Sequence, residues 1–132
     1  MSGRADLGWL TARPIAHRGL HGLSPGVVEN CPRAFEAAIA GTYAIECDVQ
    51  PTADGEAIVF HDSTLDRLTG ETGRLDQRIA AALKVAAFRA TDDRMITLAE
   101  LFALVGGRVP LVVEIKSEFD GCLLYTSPSP RD

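Results

Sequence analysis

The chain has 132 residues, is 46% hydrophobic and 23% charged, which excludes a disordered polymer and suits one domain with its own core. Its formal net charge is −5 and its basic residues do not cluster, which argues against a nucleic-acid or anionic-membrane surface. No apolar run has the length of a signal peptide or a transmembrane helix, and three cysteines, Cys31, Cys47 and Cys122, odd in number and without metal-type spacing, fit a reduced cytoplasmic setting.

In chain order, Pro14–His17 reads as a short buried strand and Leu20–Val28 as a loop. Asn30 has the chemistry of an N-cap, with Pro32 in the first turn and Phe35, Ala38 and Ile39 as a helical stripe that Gly41 ends. Tyr43–Val49 is a second strand, residues 53–56 a turn, and Ala57–Phe60 a third strand. Residues 63–73 are polar and loop-like. The Ala-rich run Ile79–Phe88 predicts a helix. Thr97 and Glu100 form a capping box that opens a helix through Val105, stopped by Gly106. Val109–Lys116 is the last strand. Strands apolar on both faces, alternating with helices, predict an α/β domain with a mostly parallel sheet.

Four strand ends carry titratable groups where a buried strand should have none: His17-Arg18, Glu46-Cys47-Asp48, His61-Asp62 and Glu114-Ile115-Lys116. Residues two apart share a face of a strand. Glu46 and Asp48 therefore point one way, as do Glu114 and Lys116, while Cys47 points toward packing. Functional side chains of parallel α/β folds gather at the C-terminal strand ends. Three clustered carboxylates repel unless a cation joins them. Glu46, Asp48 and Glu114 supply hard oxygen ligands suited to Mg²⁺ or Ca²⁺. Arg18 and Lys116 add positive charge for an anionic, phosphoryl-type substrate, and His17 and His61 suit general acid–base work. Each group also has an ordinary reading: a structural histidine, a solvated strand edge, an exposed ion pair. Asp54, Glu56, Asp92, Asp93 and Arg94 lack comparable context and read as solvated loop charges.

These residues resemble the glycerophosphodiester phosphodiesterase family from about Pro14 to Lys116. The pattern is His17-Arg18-Gly19, Glu29-Asn30, Glu46-x-Asp48, His61-Asp62, Leu65-Asp66-Arg67, Gly73 and Glu114-x-Lys116. The resemblance implies a TIM-type barrel of the phospholipase C-like kind. It implies His17 and His61 as the catalytic pair, Glu46, Asp48 and Glu114 as metal ligands, and Arg18 and Lys116 as phosphate contacts. It further implies hydrolysis of a small-molecule glycerophosphodiester to glycerol 3-phosphate and an alcohol. Cys31 stands where the family usually has Thr. Rival readings are a lipid-cleaving phospholipase C- or D-like enzyme on the same barrel and an inactive α/β fragment. Such barrels run to ~250 residues, so the expectation is about the N-terminal half of one, in residues 1–121. Residues 122–132 resemble the translated read-through of a sequencing-library adapter. They are expected to lie outside the domain, leaving the edge of the Lys116 strand unpaired.

Overall fold

The computed structural model of the chain describes residues 14–117 and 121–127. The elements are β1 (Ile15–His17), α1 (Pro32–Ala40), β2 (Ala44–Pro51), β3 (Ala57–Val59), α2 (Ala80–Leu83), α3 (Leu98–Val105), β4 (Leu111–Ser117) and β5 (Gly121–Ser127). Strand β2 is central and pairs in parallel with both β1 and β4. Strand β3 turns back antiparallel on the far end of β2, from Val49↔Val59 to Pro51↔Ala57. The parallel β1–α1–β2 and β2–α3–β4 units are the repeating logic of a βα barrel.

Alternation along β2 sorts its two faces. Ile45, Cys47 and Val49 join Phe35 and Ala38 of α1, Leu101 and Val105 of α3, and Leu111 and Val113 of β4 in one buried core. Burying such side chains stabilises by ~1.5–3 kcal/mol each. Glu46, Asp48 and Gln50 are left on the opposite face. A second buried cluster, including Ile58, Phe60, Leu65, Leu75 and Leu83, packs beneath the loops that follow β3.

Helix α1 begins one residue later than Asn30 would place it. Cys31 is the N-cap and supplies no side-chain bond. Asn30 has φ of 58°, and its side chain reaches into the sheet. The cap comes from Asp93, whose Oδ2 accepts from the Arg33 amide at 2.9 Å. The reading of Asp93 as a solvated charge is therefore corrected. So is that of Asp54, whose carboxylate accepts from the first amide of α2, Ala80, at 3.0 Å.

Helix α2 spans four residues rather than the ten from Ile79 to Phe88. Beyond Leu83 tertiary pairing overrides alanine propensity. Gly70 donates to the Ala87 carbonyl at 3.0 Å and Arg89 to that of Leu68 at 2.9 Å, and Phe88 packs edge-to-face on Phe60. Helix α3 has the expected capping box and ends on Gly106 at φ 58°.

The expected open edge on β4 is absent. Strand β5 covers it in antiparallel register from Leu111↔Ser127 to Ser117↔Gly121. Backbone pairing is indifferent to most side chains, and an exposed edge takes any extended segment within reach. A barrel, by contrast, places a parallel strand beside each strand. The remainder of the segment expected outside the domain, residues 128–132, lies outside the described residues.

Candidate active site at the strand ends

Strand register assembles the site. In β1 and β2 His17 pairs with Glu46. In β2 and β4 Asp48 pairs with Glu114. Neighbouring strands lie ~4.8 Å apart, so these rows put the carboxylates of Glu46, Asp48 and Glu114 on one face, with ligand oxygens within 4.8 Å of one another. Lys116 shares that face, its Nζ 3.0 Å from Glu114 Oε2 and 3.9 Å from Asp48 Oδ1. Cys47 is buried on the helix side as expected, and burial pushes its thiol up, which makes it inert.

Asp48 is the buried centre, with 1% of its side chain exposed. Its Oδ2 accepts from Asn30 Nδ2 at 3.1 Å. Its Oδ1 is buried with no hydrogen-bond partner. An unpartnered buried carboxylate oxygen is costly. Burial, then repulsion from Asp48 and Glu114, pushes the Glu46 carboxyl up to about 7 against the opposing pull of the Arg18 amide. The cluster thus has a deficit of positive charge. Its all-oxygen donors fit a hard divalent cation better than zinc.

The turn after β1 brings Arg18 into this cluster. Arg18 takes φ of 59° and Gly19 φ of 80°. A Cβ on Gly19 would stand 2.8 Å from the Ala34 Cβ and 2.9 Å from the Ala34 carbonyl carbon. Glycine is required there on both counts. The Arg18 amide donates to the Glu46 carbonyl at 2.6 Å and to Glu46 Oε1 at 3.2 Å. Its guanidinium faces carboxylates: Nη1 donates to Glu29 at 3.2 Å, and Nε lies 3.3 Å from Asp48 Oδ2 without the alignment of a hydrogen bond.

The two histidines are held differently. His17 Nε2 is 3.6 Å from Glu46 Oε1, and 63% of its side chain is exposed. His61 follows β3 and is fixed from two sides. Gln50, next on the carboxylate face of β2, donates from Nε2 to the carbonyls of Phe60 at 2.8 Å and Asp62 at 2.7 Å. The His61 ring sets Nδ1 2.9 Å from Asp62 Oδ1. Arg67 grips Asp62 through Nε and Nη2 at 2.8 and 3.1 Å, and the same Nη2 reaches the buried Glu29 at 2.7 Å. Arg67, with His61 also contributing, holds the Asp62 carboxyl below its ordinary range. Glu29, His61 and Asp62 form a second close group, but Arg67 already ion-pairs with both of its carboxylates and Arg18 with Glu29.

All seven residues singled out in the sequence therefore reach one end of the sheet. Glu29, Gln50, Asp62 and Arg67 join them without having been assigned roles, and Asn30 joins them in place of the N-cap role expected of it. Gln50 was within reach of the alternation rule that found Glu46 and Asp48.

A βα sheet with a carboxylate cluster and two histidines at its strand ends is the architecture of part of a TIM-type barrel. The chain belongs to the glycerophosphoryl diester phosphodiesterase family, whose sequence profile matches residues 17–120. A glycerophosphodiester phosphodiesterase of Caldanaerobacter subterraneus is 40% identical over 124 residues, covering 84% of this chain and 46% of that protein. The crystal structure of a glycerophosphodiester phosphodiesterase from Agrobacterium tumefaciens superposes with a TM-score of 0.70 at 29% identity, over 78% of this chain and 46% of that one. A phosphodiesterase from Oleispira antarctica, solved in complex with the product sn-glycerol-3-phosphate, also gives 0.70 at 29% identity, over 82% of this chain and 47% of that one. The chain spans about half the length of these relatives. No helix among the described residues is long and apolar enough to cross a membrane.

Proposed function

We propose that this chain carries the cation-binding and acid–base part of a phosphodiesterase that hydrolyses glycerophosphodiesters to glycerol 3-phosphate and an alcohol. The observation that carries the reading is the convergence of Glu46, Asp48 and Glu114 around a buried Asp48 oxygen that accepts no hydrogen bond and has Lys116 Nζ at 3.9 Å. Those three residues would hold Mg²⁺ or Ca²⁺. A bound divalent cation supplies positive charge to phosphoryl oxygens as negative charge develops on them.

In this reading Arg18 and Lys116 contact the phosphoryl oxygens from the rim of the carboxylate trio. The exposed His17 and the braced His61 transfer protons. One takes the proton of the attacking hydroxyl and the other protonates the departing alkoxide. A glycerol hydroxyl of the substrate attacks phosphorus, the bond to the alcohol breaks, and water opens the resulting cyclic phosphate. The product bound by the Oleispira relative supports glycerol 3-phosphate as the end point. We place the protein in the cytoplasm. We assign residues 1–121 to the family domain, a division supported by the end of the family match at residue 120, and read the pairing of residues 121–127 with β4 as cover of its edge by a segment outside the family match.

The test combines calorimetric titration of the chain with Mg²⁺ and Ca²⁺ and turnover of glycerophosphocholine with and without chelator. Binding of one cation that Asp48→Asn abolishes is the expected result. Failure of both cations to bind, or turnover indifferent to chelator and to Asp48→Asn, would refute the proposal.

A further inference from the structure

We propose that Arg67 is a positioning residue that holds His61 in a single tautomer and ties it to Arg18. This rests on the reading of His61 as an acid–base group.

Asp62 is the first link. A carboxylate only accepts hydrogen bonds, so the 2.9 Å contact with Asp62 Oδ1 requires the proton on His61 Nδ1. Nε2 is then the ring's free acceptor, and 31% of the side chain is open to solvent. An unrestrained neutral histidine in water prefers the opposite tautomer. Something must therefore hold Asp62 in place, ionised and correctly turned.

Arg67 does this with a fork. Its Nε and Nη2 take both oxygens of Asp62 at 2.8 and 3.1 Å. A planar guanidinium fixes the plane of a carboxylate in a way an ammonium does not. The second link is Glu29, whose side chain is 8% exposed and whose Oε2 accepts from Arg67 at 2.7 Å and from Arg18 at 3.2 Å. A continuous chain of alternating charge thus runs His61–Asp62–Arg67–Glu29–Arg18–Asp48. The residue that joins its halves, Arg67, comes from the loop after β3, near Asp62 in sequence but 38 residues from Glu29.

Stability does not account for this arrangement. Half of the Arg67 side chain is exposed and its contacts with Asp62 are exposed, where ion pairs contribute little to folding, while the buried Glu29 keeps Arg18 as a partner when Arg67 is lost. The fork has a geometric consequence instead, and that consequence can be read directly.

The experiment is ¹⁵N NMR of the histidine rings in the 132-residue chain, at a pH well above the usual histidine range. Unaltered protein should show His61 protonated on Nδ1. Arg67→Gln should convert most of that signal to the Nε2-protonated or averaged form with little change in melting temperature. Arg67→Lys, which keeps the charge and loses the fork, should fall between. Asp62→Asn turns an amide toward the ring and should favour the proton on Nε2. His61 protonated on Nε2 in unaltered protein would overturn the proposal. So would folded Arg67→Gln retaining the Nδ1 form. Should Arg67→Gln not fold, the unaltered chain and Asp62→Asn decide the matter. Adding Mg²⁺ or Ca²⁺ to the same samples separates the two readings. Loss of cation binding would strike at the proposed function while leaving the tautomer result standing, and the reverse pattern would strike only at Arg67.

Discussion

The carboxylate cluster makes the pH dependence of stability a test of the site. Glu46 has its carboxyl raised from 4.5 to about 7, first by burial and then by repulsion from Asp48. A carboxylate whose folded value lies above its unfolded value contributes stability that is full below about 4.5 and lost as pH rises through about 7. The shift sets an upper bound of roughly 3 kcal/mol at ~1.4 kcal/mol per unit. For a domain of this size that corresponds to a fall of up to ~10–20 °C in melting temperature between about pH 5 and about pH 8. Asp62, by contrast, has a lowered carboxyl, so its contribution disappears only in acid below the ordinary carboxylate range and does not cancel this slope.

A divalent cation should reverse the effect. At a hundredfold excess over its dissociation constant it adds ~2.7 kcal/mol, and because it needs ionised ligands its affinity should rise with pH. The assay is thermal melting in chelator and in excess Mg²⁺ or Ca²⁺ across that pH range, with Glu46→Gln as control. The chelated chain should lose stability with rising pH, the cation should restore it most at high pH, and Glu46→Gln should flatten both responses. A chelated pH slope that persists in Glu46→Gln, or a melting temperature indifferent to both cations at high pH, would refute the reasoning.

Gly19→Ala should destabilise by ~2–5 kcal/mol, combining left-handed backbone strain with overpacking against Ala34; a reduced denaturant midpoint checks it. Gln50→Ala strips two carbonyls of their donor and should cost ~1–3 kcal/mol, with amide exchange accelerating first around His61. Asp93→Ala removes the cap of α1 and should cost ~0.5–2 kcal/mol in chemical denaturation, an outcome a solvated loop charge would not give. His17→Ala should lower turnover of glycerophosphocholine by ~10²–10⁴-fold while the cation-dependent rise in melting temperature survives; near-normal turnover would remove His17 from the mechanism.

What the sequence made legible was whatever follows from strand period and charge. Glu46, Asp48 and Glu114 stood out because alternation and burial conflict with ionised groups, and the conflict has few resolutions. Gln50 obeys the same alternation but carries no charge, so nothing marked it. Asn30 was misplaced for a physical reason: the chemistry that makes it a good cap also lets it adopt φ of 58° and hydrogen-bond Asp48. Competition for one amide side chain is decided by tertiary structure. Asp93 then caps a helix 60 residues away, which no local rule could connect. The Ala-rich run failed similarly, since pairing of Ala87 and Arg89 with the loop at Leu68–Gly70 outweighs a few tenths of a kcal/mol of propensity per residue. The edge of β4 failed through a different omission. The residues expected outside the domain begin with Cys-Leu-Leu-Tyr-Thr, which has the β-forming residues an open edge accepts. Its antiparallel sense is at odds with barrel geometry. Strand β5 therefore occupies the edge where a barrel would place its next parallel strand, and it does so opposite Glu114 and Lys116. Deleting residues 121–132 should leave the carboxylate cluster's cation response intact if those residues serve only as edge cover, because every described contact of Asp48, Arg18 and Asn30 comes from elsewhere in the fold.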